Sequence, residues 1–84
     1  MLLKEESLEN FAVNLRIRRK SAQLTQAQVA KILGISLSSY TAYERGRSYP
    51  TVPNLMKILQ LFGVSIEDLL RDVPSAPYLK HMHF

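Results

Sequence analysis

Nucleophilic chemistry has little to work with in this chain. The hydroxyls near Lys20, Ser21 and Lys31 have no His or acidic neighbour to take a proton, and no Gly-rich loop could cradle a phosphate. His81 and His83, separated by Met82, could share a metal only weakly, because no third ligand type stands nearby. No catalytic residue, metal site or cofactor is therefore expected. The remaining concentration of polar groups is the stretch 34–46, GISLSSYTAYERG, with hydroxyls at Ser36, Ser38, Ser39, Tyr40, Thr41 and Tyr43 and one Arg at its far end. Such groups can hydrogen-bond to a surface without reacting with it.

Charge suggests which surface. The net charge is +4, but its distribution says more. Residues 1–10 carry a balance of −2, residues 11–57 a balance of +7 with Glu44 as the single anion, and residues 58–84 a balance of −1. A basic middle between mildly acidic ends suits a polyanionic partner, or serves solubility alone. There is no cysteine, so neither disulfides nor thiolate sites can stabilise the domain. No apolar run approaches the roughly 20 residues that span a bilayer. The opening MLLKEESLENF, with three Glu, lacks the basic start of a signal peptide, so a cytoplasmic location is expected.

The elements that must position these groups are helices. Three Gly and four Pro divide the chain into helix-length pieces and favour an all-α domain. A first helix over about 7–22 puts Leu8, Phe11, Ala12, Leu15 and Ala22 on one face, with Ser7 as its cap. Val13 and Ile17 fall off that face and form a small apolar stripe suited to receiving the tail or another subunit. A second helix over 26–33 has Thr25 as cap, Gln28 completing a capping box, and Gly34 as its stop. The third, over 37–45, has Ser36 as cap and Ser39 at the box position, with Tyr40 and Tyr43 turned inward. A fourth over 52–62 buries Leu55, Ile58, Leu59 and Phe62, with Pro53 in its first turn. A fifth over 66–70 is capped by Ser65, carries Glu67 and Asp68 in its first turn, and packs Ile66, Leu69 and Leu70. One domain over 1–71 is followed by a tail over 72–84.

Two short helices joined by a tight turn make a helix-turn-helix, whose first helix crosses the DNA backbone and whose second enters the major groove. Over about residues 8–70 the sequence resembles the Cro and phage-repressor (XRE) type of helix-turn-helix domain. The resemblance is carried by Arg19, Leu24-Thr25-Gln26, Val29-Ala30, Gly34-Ile35-Ser36, Tyr40, Tyr43-Glu44-Arg45-Gly46, Pro50, Leu55, Gly63-Val64-Ser65 and Leu69-Leu70. It implies a five-helix lambda-repressor-like fold and a sequence-specific regulator of transcription, acting as a repressor and homodimer on a near-palindromic operator. It also implies a buried ion pair between Arg19 and Glu44; the competing role for Arg19 is a phosphate ligand. Gln23 stands where the family usually has Gly, and Leu59 where it commonly has Ala.

Within that frame Leu37, Ser38, Thr41 and Ala42 face base edges, opposite Tyr40 and Tyr43. Gln26, Ser39, Arg45 and Arg47 face the sugar-phosphate backbone. Arg16, Arg18, Lys20 and Lys31 either touch phosphate or coat the outer surface. The expected partners are double-stranded DNA and a second copy of the chain, with a protein partner as a further option through the N-terminal arm or the tail. The rival reading is an antitoxin-like interaction module whose DNA binding is secondary.

Overall fold

The computed structural model describes residues 5–73, with side chains from Ser7 onward. Five helices follow one another: α1 Glu5–Ser21, α2 Gln26–Leu33, α3 Leu37–Glu44, α4 Val52–Phe62 and α5 Ile66–Leu70. No strand occurs among the described residues. The expectations placed on 1–4 and 74–84, including His81 and His83, lie outside this range.

Local chemistry sets most of the boundaries. Thr25 accepts from the Gln28 N–H at 3.0 Å while Gln28 Oε1 accepts from the Thr25 N–H at 2.8 Å, which completes the capping box that opens α2. Ser65 and Asp68 make the same reciprocal pair at α5. At α3 the box is not formed. Ser36 accepts from the Ser39 N–H, but its hydroxyl donates to Ser39 Oγ at 2.9 Å, so the two side chains bond each other. Ser7 is not a cap either, because α1 begins before it at Glu5. The third helix stops one residue early, at Glu44.

Helix α1 ends without a glycine. The Leu24 N–H reaches back to Arg19 O and the Gln23 N–H to Lys20 O, the paired bonds that need a left-handed residue just past a helix. Gln23 fills that place at φ +59, where its Cβ is strained. At the end of α3, Gly46 takes the same role at φ +70, with Arg47 N–H bonded to Ala42 O.

The core joins Phe11 and Leu15 of α1, Val29, Ala30 and Leu33 of α2, Tyr40 and Tyr43 of α3, Ile58 of α4 and Leu69 of α5. Tyr49, in the loop before α4, lays its ring 5.5 Å from that of Phe11. Three expectations need correction. Ala22 is exposed, because it lies in the turn beyond α1. Val13 is 2% exposed and belongs to the interior. On α4 only Ile58 is fully buried, while Leu55, Leu59 and Phe62 are half-buried at the edge of the core.

The chain does not fall away as a tail at residue 72. Asn14 Nδ2 donates to both Leu69 O and Arg71 O at 2.9 Å, and Asn10 Nδ2 donates to Asp72 Oδ1 at 3.0 Å. Val73 is buried. Two Asn side chains one helical turn apart thus hold the end of α5 and the residues after it on α1.

Candidate nucleic-acid interface

The turn between α2 and α3 is three residues long, Gly34, Ile35 and Ser36. Gly34 at φ +71 reverses the chain, the Ile35 N–H returns to Ala30 O at 3.0 Å, and Ser36 caps the helix that follows. Lys57 of α4 donates its ammonium to Leu33 O at 3.1 Å, placing a cation at the negative end of α2. That contact fixes the outer end of α2 and uses one of the three hydrogens of the Lys57 ammonium.

The inner ends of α2 and α3 are fixed by Glu44. Its carboxylate is 1% exposed and takes Arg19 Nε at 2.6 Å, Arg19 Nη2 at 3.1 Å, Gln26 Nε2 at 3.0 Å and the Tyr40 hydroxyl. Arg19 spends its remaining nitrogen on Leu24 O at 2.8 Å. Arg19 and Glu44 are thus brought together as a buried, bidentate pair. The bond to Glu44 raises the Arg19 pKa above the ordinary arginine value, and burial followed by the Glu44 bond pushes the Tyr40 hydroxyl far above its usual range. Tyr40 is therefore a fixed donor. One carboxylate ties the end of α1, the start of α2 and the end of α3.

Tyr40 and Gln26 were not foreseen as members of this cluster. Tyr40 stands four residues before Glu44 on one helix, a spacing at which side chains meet, so a signal existed. Gln26 is 18 residues away in sequence and left none. Its amide nitrogen carries two hydrogens, of which Glu44 takes one and leaves the other to donate outward. Arg16 also sits near the cluster. It is half-buried, and burial lowers its pKa while Glu44 opposes the shift, so it does not coat the outer face.

Leu37, Ser38, Thr41, Ala42, Arg45 and Arg47 line one open depression of about 530 Å³. Leu37 is 48% exposed and Ser38 is exposed, while Thr41 and Ala42 are half-buried. Arg45 caps α3 with φ −91 and ψ 0, and its N–H returns to Thr41 O at 3.0 Å. Neither Arg45 nor Arg47 has an ion-pair or hydrogen-bond partner for its guanidinium among the described residues. A second depression, of about 570 Å³, is lined by Arg19, Lys20, Gln23, Leu24, Thr25, Gln26, Ala27 and again Leu37. Because Leu37 borders both, the start of α2 and the outward face of α3 open onto the same side of the molecule. Ser39, exposed, accepts from Ser36 and keeps its own hydroxyl hydrogen to donate. No cluster of three or more metal-ligating side chains exists among the described residues, and none of the described helices is long and apolar enough to cross a membrane.

An eight-residue helix, a three-residue turn and a second eight-residue helix followed by Arg45 and Arg47, braced by a buried carboxylate, define a helix-turn-helix DNA-binding domain. The chain matches the helix-turn-helix family over residues 15–69 and belongs to it. It is 48% identical over 52 residues to the cryptic phage CTXphi transcriptional repressor RstR of Vibrio cholerae, covering 62% of this chain and 46% of that protein. Antitoxin PezA of Streptococcus pneumoniae is 39% identical over 57 residues, covering 68% of this chain and 36% of the antitoxin. The chain thus spans about half the length of the repressor and about a third of the antitoxin. Among solved structures, a hypothetical transcription factor, NHTF, from Neisseria superposes with a TM-score of 0.70 at 28% identity, covering 98% of this chain and 93% of that one.

Proposed function

We propose that this chain is a transcription regulator, a repressor that binds a near-palindromic operator as a homodimer and covers a promoter. The observation that carries the reading is the shared border at Leu37. It sets the phosphate-binding start of α2 beside the outward stripe of α3, which is the arrangement a helix needs to lie in the major groove while its neighbour grips the backbone. In this reading Leu37, Ser38, Thr41 and Ala42 touch base edges, with Leu37, Ala42 and the Thr41 methyl against thymine methyls. Backbone phosphate is met by the second amide hydrogen of Gln26, by the free N–H groups at the start of α2, by the Ser39 hydroxyl and by Arg47. Glu44 holds the Gln26 amide in place for this contact.

Dimerisation is supported by the half-buried apolar residues Leu61, Phe62 and Val64 at the edge of the core near the end of α4. A second copy packed there would set two α3 helices about 34 Å apart, one turn of DNA. Such a protein works in the bacterial cytoplasm on the nucleoid, encoded by the bacterium or by a phage.

The test is a titration of labelled duplex across a salt series. Measurable affinity that falls steeply with salt, at two chains per duplex, supports the reading. Absence of binding at low salt would overturn it. The similarity to an antitoxin favours a second reading, in which the chain chiefly neutralises a partner enzyme and DNA binding is secondary. Weak, salt-insensitive DNA binding would favour that one.

A further inference from the structure

We infer that Arg45 is a specificity-determining residue that reads a guanine in the major groove, an inference that rests on the DNA-binding function proposed above. The sequence alone assigns Arg45 to the sugar-phosphate backbone. The structure makes it the C-cap of α3, with its N–H still bonded to Thr41 O at 3.0 Å. Leu37, Thr41 and this cap residue follow one another at intervals of four, and residues so spaced lie one above another on a single face. Arg45 retains right-handed helical backbone angles at φ −91 and ψ 0. A helical side chain leans toward the N-terminus of its helix and covers the preceding turn. Arg45 borders the depression lined by Leu37, Ser38, Thr41 and Ala42, within reach of the part of α3 that enters the groove.

Both of those neighbours are small, and together with Ser38 they leave the floor of the depression low enough for a long side chain to lie across it. Arg45 and Arg47 are the cations of that lining. Arg47 enters from beyond Gly46, where the chain has already turned out of the helix at φ +70. It meets the groove from its edge, where phosphate is. Neither guanidinium is engaged among the described residues, so Arg45 needs to break no contact in order to bind.

The chemistry fits a guanine. The hydroxyls of Ser38 and Thr41 accept or donate to several bases and discriminate weakly, whereas a planar guanidinium donates two parallel hydrogen bonds to guanine O6 and N7. One G·C pair per half-site, read by Arg45 beside thymine methyls read by Leu37 and Ala42, supplies the directional contact that the small side chains lack.

The experiment uses the full chain, one duplex selected from a random pool, and the complete set of its single-base-pair substitutions. Affinities are measured at one fixed salt concentration. The unaltered protein should penalise replacement of one G·C pair by about 5- to 150-fold. Arg45→Ala should flatten that position and leave the other penalties in place. Arg45→Lys, which keeps the charge and donors but loses the planar fork, should retain only part of the guanine preference. Arg47→Ala should instead weaken all duplexes alike, keep the profile, and reduce the salt slope by about one per chain. A uniform loss in Arg45→Ala with every base penalty retained would make Arg45 a backbone ligand and overturn the inference. A normal melting profile for Arg45→Ala excludes a folding defect, since the residue is exposed. If the unaltered protein shows no base preference at any position, the sequence-specific function itself fails, which is a separate result.

Discussion

Replacing Arg19 by Met would test the cluster at Glu44 most directly. The substitution keeps the length and apolar body of the side chain but leaves a carboxylate that is 1% exposed without its cation. Breaking one side of a buried pair costs about 3–5 kcal/mol. The Tyr40 hydroxyl and Gln26 Nε2 still donate to Glu44, so the expected cost lies near the lower end, about 3 kcal/mol. For a domain of this size each kcal/mol lowers the melting temperature by about 4–8 °C, so a fall of about 12–24 °C is expected. Glu44→Leu alone should be comparably damaging, because it buries the Arg19 charge unpaired. The double variant removes both charges and should recover part of the loss, retaining a cost of about 1–3 kcal/mol from the Tyr40 and Gln26 donors left without an acceptor. The sum of the single losses should thus exceed the double loss by about 2 kcal/mol or more. Urea denaturation followed by circular dichroism measures all four proteins. Because Glu44 raises the folded-state pKa of Arg19, the contribution is complete below the ordinary arginine pKa and is lost only as pH rises past it, so neutral and acidic arginine titration plays no part. A single-variant loss below about 1 kcal/mol, as for an exposed pair, or additivity within about 0.5 kcal/mol, would refute the reasoning. DNA affinity per folded molecule should fall far less than stability. A well-folded Arg19→Met that no longer binds would make Arg19 a phosphate ligand after all.

Other substitutions test separate parts of the structure. Gln23→Gly relieves a left-handed glutamine at φ +59, and after the greater chain entropy of glycine is counted should stabilise the fold by about 0.5–1 kcal/mol; a lower melting temperature would count against it. Asn14→Ala removes two bonds to the carbonyls of Leu69 and Arg71, should cost about 1–2 kcal/mol, and should speed hydrogen exchange in α5 before other helices. Thr41→Ala should leave the melting temperature nearly unchanged and alter which sites are selected from a random pool; unchanged selection would mean that α3 reads little. Asp68 is held below the usual carboxylate range, first by the Ser65 N–H and then by the Ser65 hydroxyl. Its support is therefore present above its unfolded pKa and fades as pH falls through the folded one, so Asp68→Asn should melt earlier than the parent at neutral pH and converge with it in acid.

The parts of the fold that were legible in the sequence are those decided within one or two turns of chain. Thr25 with Gln28, Ser65 with Asp68, and Gly34 and Gly63 at helix ends each act on neighbours three or four residues away, and each marks its boundary. Val13 was misread because α1 buries a wider face than its single apolar stripe, and no periodicity within α1 carries that information. Asn10 and Asn14, which secure the covering segment, look like ordinary polar positions until α5 is placed beside them. The half-exposure of Leu55, Leu59 and Phe62 was hidden for the converse reason. A strong apolar stripe marks a face without telling whether this chain alone suffices to cover it. At the interface, the outward stripe of α3 followed from its period, whereas the four-donor environment of Glu44 required three helices to be in place.

The bracing of α3 has a bearing on how such a regulator could change its target. Tyr40, Tyr43 and Glu44 secure the helix from within, and Ser36 secures its start, while Leu37, Thr41, Ala42 and Arg45 take no part in either anchorage. The side chains that anchor α3 and its caps are different residues from those that face outward. Substitutions at the outward positions can accumulate without unfolding the domain. A population of such chains could then drift from one operator to another through folded intermediates, and a library randomised at those four positions should be rich in stable members.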